Sequence, residues 1–258
     1  MLIIVEVLLA LALFSILIGA FELGFRLGRR RGTTGEAGAI GTIQGAILGL
    51  LALLLGFSYS GAASRFLDRQ LLIVQEANAI GTAALRADLL EAPHRTRLKE
   101  LLRDYSLARI EMHGEIDSPP SSPLRQKVEQ LQKELFQTAV DGIRSTPVLG
   151  GPVLNPINEL IDLHTTRLAA QRRHLPLPIF ALLILCAAVS LASVGYGNGL
   201  LGRRELLSYG LVFLVAATLW ITLDLDFPRI GLIRIDQTPL VDAVDSLAEF
   251  ARAPRVMP

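Results

Sequence analysis

Strongly apolar segments recur four times along the chain, and each is long enough to cross a membrane as a helix. They cover residues 2–21, 40–64, 177–196 and 206–223. An α-helix rises about 1.5 Å per residue, so about 20 such residues span a hydrocarbon core of roughly 30 Å. The pattern therefore predicts an all-α polytopic membrane protein with four transmembrane helices. Their order along the chain predicts two hairpins, residues 1–64 and 176–223.

The first apolar segment carries one acid, Glu6, near one of its ends. A carboxylate at that position can reach the membrane interface, so we interpret Glu6 as an interfacial residue rather than a buried functional acid. No basic stretch precedes the segment, and its apolar run exceeds that of a typical signal peptide. We therefore expect a retained first span.

Amphipathic patterns fill the region between the hairpins, residues 65–175, and predict a helical extramembrane domain. The second span continues directly into the first pattern, whose apolar positions are Phe66, Leu71, Val74, Ala77 and Ile80. Ala92-Pro93 predicts a break, and PVLGGPVLNP predicts a stiff loop. The other predicted helices cover about residues 94–112, 124–143 and 157–173. An acidic turn and an amphipathic tail, residues 224–258, end the chain.

Composition supports a membrane protein and argues against several other classes. Hydrophobic residues make up 51% of the chain and charged residues only 19%. The formal net charge of +1 gives no concentrated basic face of the kind that nucleic-acid binding requires. Because there is a single cysteine, Cys186, neither an intrachain disulfide nor a cysteine-based metal site is expected.

Candidate catalytic and metal-binding patterns are missing from the sequence. The four histidines, His94, His113, His164 and His174, are scattered, and none forms an HExxH pair. The chain also has no GxSxG, GxxxxGK or dinucleotide fingerprint. We therefore predict no enzyme activity, no cofactor and no metal site, and we interpret each histidine as a surface or interface residue.

The second span is distinguished by its glycine spacing and by its polar end. Gly41, Gly45 and Gly49 recur every four residues, which allows close approach of another helix in lipid. Hydroxyl side chains at Ser58, Tyr59, Ser60 and Ser64 then make its far end polar. This combination is typical of a packed or pore-lining helix. We assign Gly41 and Gly45 to helix packing.

Two groups of polar residues need an explanation. Asp224 and Asp226 end the fourth span, where the helix dipole disfavours anions, so a partner is expected. Arg229 or Arg234 could supply an ion pair, which we favour over a cation site that would include Asp236.

The second group lies on the continuation of the second span and comprises Arg65, Glu76 and Asn78. These residues are predicted to form either a polar network that fixes helix contacts or a gating or ion-relay group. We favour the polar network.

Charge does not settle the orientation in the membrane. On the side of the hairpin loops the nearby positive residues are Arg26, Arg29, Arg30, Arg31, Arg203 and Arg204. On the other side they are Arg65, Arg69, Arg167, Arg172, Arg173, Arg229 and Arg234. Six positive residues on one side against seven on the other do not decide the orientation by the positive-inside rule. The positive residues around the first span, taken alone, favour an outside N-terminus.

Two stretches, LLGFSYSGAASRFLDRQLLIVQEANAIGTAALRADLL and LDLDFPRIGLIRIDQTPL, resemble the bacterial bestrophin-like family of unknown function. The resemblance covers nearly the whole chain. A more distant similarity to true bestrophins rests on three features: the two hairpins with a helical middle, the run Leu55-Gly56-Phe57 followed by Ser64-Arg65, and LDFPRIG in place of an NPFGED-like segment.

Bestrophins are homopentameric anion channels, and their second helix lines a hydrophobic neck. The resemblance implies a neck at Gly49, Leu53 and Phe57, with a wider or more flexible ring at the glycine. It also implies a homopentamer that conducts inorganic anions such as chloride, with both termini and residues 65–175 in the cytoplasm of an inner-membrane protein. The acidic run that helps bind calcium in animal bestrophins is absent, so calcium gating is not expected.

Two alternatives remain open from the sequence. One is a non-conducting membrane scaffold or sensor whose helical domain binds a partner. The other is a secondary transporter, which the lack of a convincing inverted repeat with broken helices disfavours.

Overall fold

The computed structural model describes residues 2–31, 37–113, 121–228 and 231–252, and every regular element within these ranges is helical. The elements are α1 (Leu2–Arg31), α2 (Ala37–Ala87), α3 (Ala92–His113), α4 (Pro123–Ile143), a 3-10 turn (Pro147–Leu149), α5 (Gly150–Gln171), α6 (Leu177–Leu200), α7 (Leu206–Asp226) and α8 (Thr238–Arg252). Four of them, α1, α2, α6 and α7, are long and apolar enough to cross a membrane. The predicted all-α fold with four membrane-crossing helices is therefore confirmed.

The chain divides into two compact units. The first comprises Met1–Phe66 and His174–Arg234, and the second comprises Leu67–Arg173 and Ile235–Pro258. Helix α2 begins in the first unit and ends in the second without interruption.

The core of the first unit is formed by α1, α2, α6 and α7. Its most deeply buried side chains are Leu17, Phe21, Leu51, Leu183, Leu191, Val212 and Leu219. Proline residues at the start of α6 suit a first turn, because the backbone N–H groups there have no partner within the helix.

Glycines allow α1 and α6 to pack backbone against backbone. A Cβ atom at Gly24 or Gly28 would come well under 3.0 Å from a carbonyl oxygen of α6. A Cβ atom at Gly195 or Gly199 would meet a carbonyl oxygen of α1 in the same way. Each helix thus contributes two glycines, four residues apart, to a reciprocal interface of the small-xxx-small type. The sequence analysis did not identify this interface.

The core of the second unit joins α3, α4, α5 and the end of α2. Its buried apolar side chains are Ile73, Ile80, Leu98, Leu102, Val128, Leu135, Ile157 and Leu160. Helix α8 packs against α3 and buries Leu240 and Leu247. Helix α4 begins at a proline, and the Ser122 hydroxyl accepts a hydrogen bond from the Arg125 backbone N–H at 3.5 Å.

Two predictions of local structure are wrong. The segment PVLGGPVLNP is not a loop, because α5 begins at Gly150 and includes Pro156, whose ring is buried in the core. The predicted apolar stripe on α2 is misplaced: Leu71 and Val74 are exposed, whereas Ile73 and Glu76 are buried. Glu6 is buried within the chain, and its position at the membrane interface stays a prediction.

Candidate functional site

The predicted neck residues lie together on an open face of α2. Leu53 is 56% exposed and Phe57 is 70% exposed. A Cβ atom at Gly49 would meet nothing within 4 Å among the described residues. Successive positions four apart advance about 40° around the helix, so the three residues share one face. Leu51 and Leu55, on the opposite side of the same helix, are buried in the core.

The glycines assigned to helix packing, Gly41 and Gly45, also face open space. A Cβ atom at either position would meet nothing within 4 Å among the described residues of this chain. Close packing at these glycines therefore stays a prediction.

Buried charges connect three helices of the second unit. The Glu76 carboxylate of α2 is fully buried, at 0% exposure. From α3, Arg109 donates to it through Nε at 2.6 Å and through Nη2 at 3.1 Å, and the Tyr105 hydroxyl donates at 2.7 Å. Arg167 of α5 also donates through Nη1. The predicted polar network at Glu76 thus has partners that the sequence analysis did not foresee.

Burial of the Tyr105 hydroxyl and the nearby Glu76 carboxylate raise the pKa of Tyr105, so the phenol stays protonated and donates. Arg109 also directs Nη1 towards the sulfur of Met112, 3.4 Å away. Two guanidinium groups face one carboxylate, and the cluster therefore carries an excess of positive charge.

His164 of α5 lies beside this cluster and is 4% exposed. Neither of its ring nitrogens has a hydrogen-bond partner within the described part of the chain. Burial, together with the charge of Arg109, lowers the pKa of His164 to about 4. The imidazole is therefore neutral at neutral pH, and of the two predicted environments, surface or interface, His164 does not have the surface one.

Arg65 and Asp226 form the charged contact of the first unit. Arg65 Nε donates to Asp226 Oδ1 at 2.8 Å, and the Leu175 backbone N–H donates to Oδ2 at 2.7 Å. His174 Nδ1 lies 3.0 Å from the backbone carbonyl oxygen of Asp226, and its ring stacks on Phe227 with centroids 4.3 Å apart. Asp226 thus connects α2, the start of the second hairpin and the end of α7.

Among the described residues, backbone N–H groups hold the carboxylate of Asp224. The N–H groups of Leu232 and Ile233 donate to its two carboxylate oxygens, each at 2.8 Å. A side chain at Gly231 would collide with this carboxylate, so the turn requires glycine. The aspartate therefore closes the turn that follows α7.

Among the described residues, Asp226 pairs with Arg65 and not with Arg234, and a pairing with Arg229 stays a prediction. Arg234 donates to the Gly231 carbonyl oxygen at 3.3 Å. Arg229 lies outside the described residues. Asn78 is exposed on α2 and, among the described residues, takes no part in the Glu76 network.

Among the described residues there is no group of three or more histidine, cysteine or acidic side chains that could hold a metal ion. The oxygens of Asp224 accept backbone N–H groups instead.

The sequence analysis missed Arg69, Arg109 and Arg167. All three are buried, and each lies on the inward face of its helix. Arg69 Nε donates to the Ala170 carbonyl oxygen at 3.1 Å, near the end of α5, where a cation satisfies unpaired carbonyl groups. A sequence signal for such residues was available, because Arg109 follows Leu102 and Tyr105 at helical spacing and so lies on the same buried face.

These features define a polytopic, all-helical membrane protein whose extramembrane helices are joined by buried charges. A family model for the bestrophin-like domain matches residues 9–240. The chain therefore belongs to the bestrophin-like family. No curated protein matches the sequence.

Solved structures support the same fold. A bacterial bestrophin homologue from Klebsiella pneumoniae superimposes with a TM-score of 0.68 at 15% identity, covering 98% of this chain and 100% of that one. A point variant of that homologue gives a TM-score of 0.69 at 13% identity, covering 94% and 100%. At these identities the likeness establishes the fold.

The Glu76 network predicts a large cost for removing its single acid. Glu76→Gln keeps the shape of the side chain but leaves Arg109 and Arg167 buried without a counter-charge. We expect a loss of about 3 to 5 kcal/mol in the free energy of unfolding, measured on the purified protein. The control is Asp88→Asn, which removes the half-exposed partner of Lys99 and should cost about 1 kcal/mol or less. Equal losses in the two variants would contradict the network.

The contact between Arg65 and Asp226 predicts energetic coupling between these two positions. A double-mutant cycle of Arg65→Gln and Asp226→Asn should give a coupling energy of roughly 0.5 to 3 kcal/mol, measured from unfolding free energies. The same cycle with Arg234→Gln in place of Arg65→Gln should give a coupling near zero. Stronger coupling to Arg234 would show that the sequence-based pairing was right after all.

Proposed function

We propose that this protein is a homo-oligomeric ion channel, with a pentamer favoured, and that it conducts inorganic anions such as chloride. Membership of the bestrophin-like family supports a channel-type protein. The observation that carries the proposal is the open apolar face of α2, at Gly49, Leu53 and Phe57.

Helix α2 has two faces with different surroundings. Leu51 is 2% exposed and packs into the core, whereas Leu53 and Phe57 contact little of their own chain. When copies meet around a symmetry axis, such a face can line a lumen, and its large side chains form a constriction. A hydrophobic constriction of this kind can gate by dewetting.

Hydroxyl groups continue the same face beyond the neck. Ser60 and Ser64 are exposed, and they follow Leu53 and Phe57 at helical spacing. Each hydroxyl offers a hydrogen-bond donor, which a partly dehydrated anion requires. This order, an apolar neck followed by donors, supports a path for anions along α2.

The proposed orientation places both termini and the second unit in the cytoplasm of an inner-membrane protein. In a Cys186→Ser background, a Ser121→Cys variant should resist an impermeant thiol reagent in intact spheroplasts and react after lysis. Thr33, in the first hairpin loop, lies outside the described residues and should label from outside when changed to cysteine. Labelling of Ser121→Cys in intact spheroplasts would reverse the orientation.

The channel proposal predicts that neck and core leucines respond differently to truncation. Leu53→Ala and Phe57→Ala remove side chains from a lumen, so assembly should persist while anion flux into liposomes rises. Leu51→Ala removes the same leucine side chain from the core, which should cost about 2 kcal/mol or more and give no gain in flux. Oligomer size and flux are measured on the same purified samples.

Two results would contradict the proposal. Loss of the oligomer in Leu53→Ala with no rise in flux would assign this face to ordinary packing between helices. A wild-type protein that is monomeric, or that shows no flux in any anion gradient, would favour the rival function, a non-conducting scaffold or sensor.

A further inference from the structure

An open groove of about 380 Å³ lies in the first unit between α1, the start of α2 and α6. Its walls include Leu23 and Leu27 of α1, Ile43 of α2, and Ala192 and Tyr196 of α6. The surface that lines it is apolar. All three helices are among those long and apolar enough to cross a membrane, so the groove can open towards lipid.

Backbone contacts fix the floor of the groove. Gly24, which has no side chain, lets α1 approach the carbonyl group of Ala192 directly. Gln44 donates through Nε2 to the carbonyl oxygen of Ser193 and so ties α2 to α6. This bond uses one N–H group of the Gln44 amide, and the surface of the groove that stays accessible is apolar.

Positive charge lies at one end of this apolar surface. Arg30 and Arg31 follow Leu27 by three and four residues, so they extend the same face of α1 by one turn. Arg31 Nη1 also donates to the Tyr196 hydroxyl at 3.3 Å, and Tyr196 is itself part of the groove. Arg29 lies roughly on the opposite side of α1 and provides a control of equal charge.

We propose that the groove binds an anionic phospholipid, with one acyl chain along Leu23 and Leu27 and the phosphate at Arg30 and Arg31. Arginine binds phosphate through two parallel N–H groups, and basic side chains at a membrane surface attract anionic lipid. A free inorganic anion would gain nothing from the apolar walls. The acyl chains of a zwitterionic lipid would pack against the apolar walls equally well. Its headgroup, however, carries no net negative charge that would attract the arginines.

The test compares lipid retention by the intact oligomer. The protein is reconstituted in equal mixtures of dioleoyl phosphatidylglycerol and dioleoyl phosphatidylcholine, extracted, and analysed by native mass spectrometry. Wild type should retain phosphatidylglycerol in preference to phosphatidylcholine. The double variant Arg30→Ala/Arg31→Ala should lose roughly tenfold or more of that preference, since each basic residue contributes severalfold. Arg29→Ala should keep it.

A second variant separates the apolar walls from the charge. Ile43→Trp fills the groove with a bulky side chain at an exposed position and leaves the arginines unchanged. It should reduce phosphatidylglycerol retention while the oligomer remains intact. Because retention is measured without ion flux, this test is independent of whether the protein conducts.

Three outcomes would overturn the proposal. Equal retention of the two lipids by wild type would remove the anionic preference. A loss in Arg29→Ala as large as the loss in either single variant, Arg30→Ala or Arg31→Ala, would reduce the effect to general surface charge. Unchanged retention in Ile43→Trp, together with a changed oligomer size, would make the groove a contact between copies of this chain.

Discussion

The second unit depends on placing one carboxylate where two arginines can reach it. An ionised group taken out of water costs several kcal/mol, and that cost is recovered only when its hydrogen bonds are nearly complete. Glu76 meets this condition with bonds from Tyr105, Arg109 and Arg167, which come from two other helices. An apolar core could tolerate small shifts between helices, whereas such shifts would break this set of hydrogen bonds. The charges therefore fix the register of α2, α3 and α5.

The first unit uses a different solution for acids at a helix end. Asp224 and Asp226 lie where the carbonyl groups of α7 disfavour negative charge. Asp224 satisfies its oxygens with the backbone of the next turn, and Asp226 uses Arg65 and the backbone N–H of Leu175. Both arrangements bring a following or preceding segment against the helix end. Each acid thus determines the path of the chain as well as its own solvation.

The sequence was sufficient for the membrane spans and for much of the helical domain, because these depend on local hydrophobic patterns. It failed on α2 beyond the membrane, where Arg69 and Glu76 occupy the buried face and Leu71 occupies the exposed one. A rule that places apolar residues in the core therefore assigns the wrong face of this helix to the core. The pairing of Asp226 was missed for a related reason, since Arg65 lies 161 residues away along the chain. No local sequence pattern distinguishes Arg65 from Arg234, which is closer to Asp226 along the chain.

The glycine contacts between α1 and α6 have a consequence for motion. Four backbone carbonyl groups occupy the spaces that the side chains at Gly24, Gly28, Gly195 and Gly199 would fill in other residues. Sliding either helix by one residue would replace a glycine with a bulkier neighbour, such as Phe25, and would drive it into the opposing backbone. Translation along this pair is therefore blocked in steps smaller than a full helical turn. The backbone contacts thus hold the two helices in one register, and any change in the first unit that keeps these contacts moves α1 and α6 together.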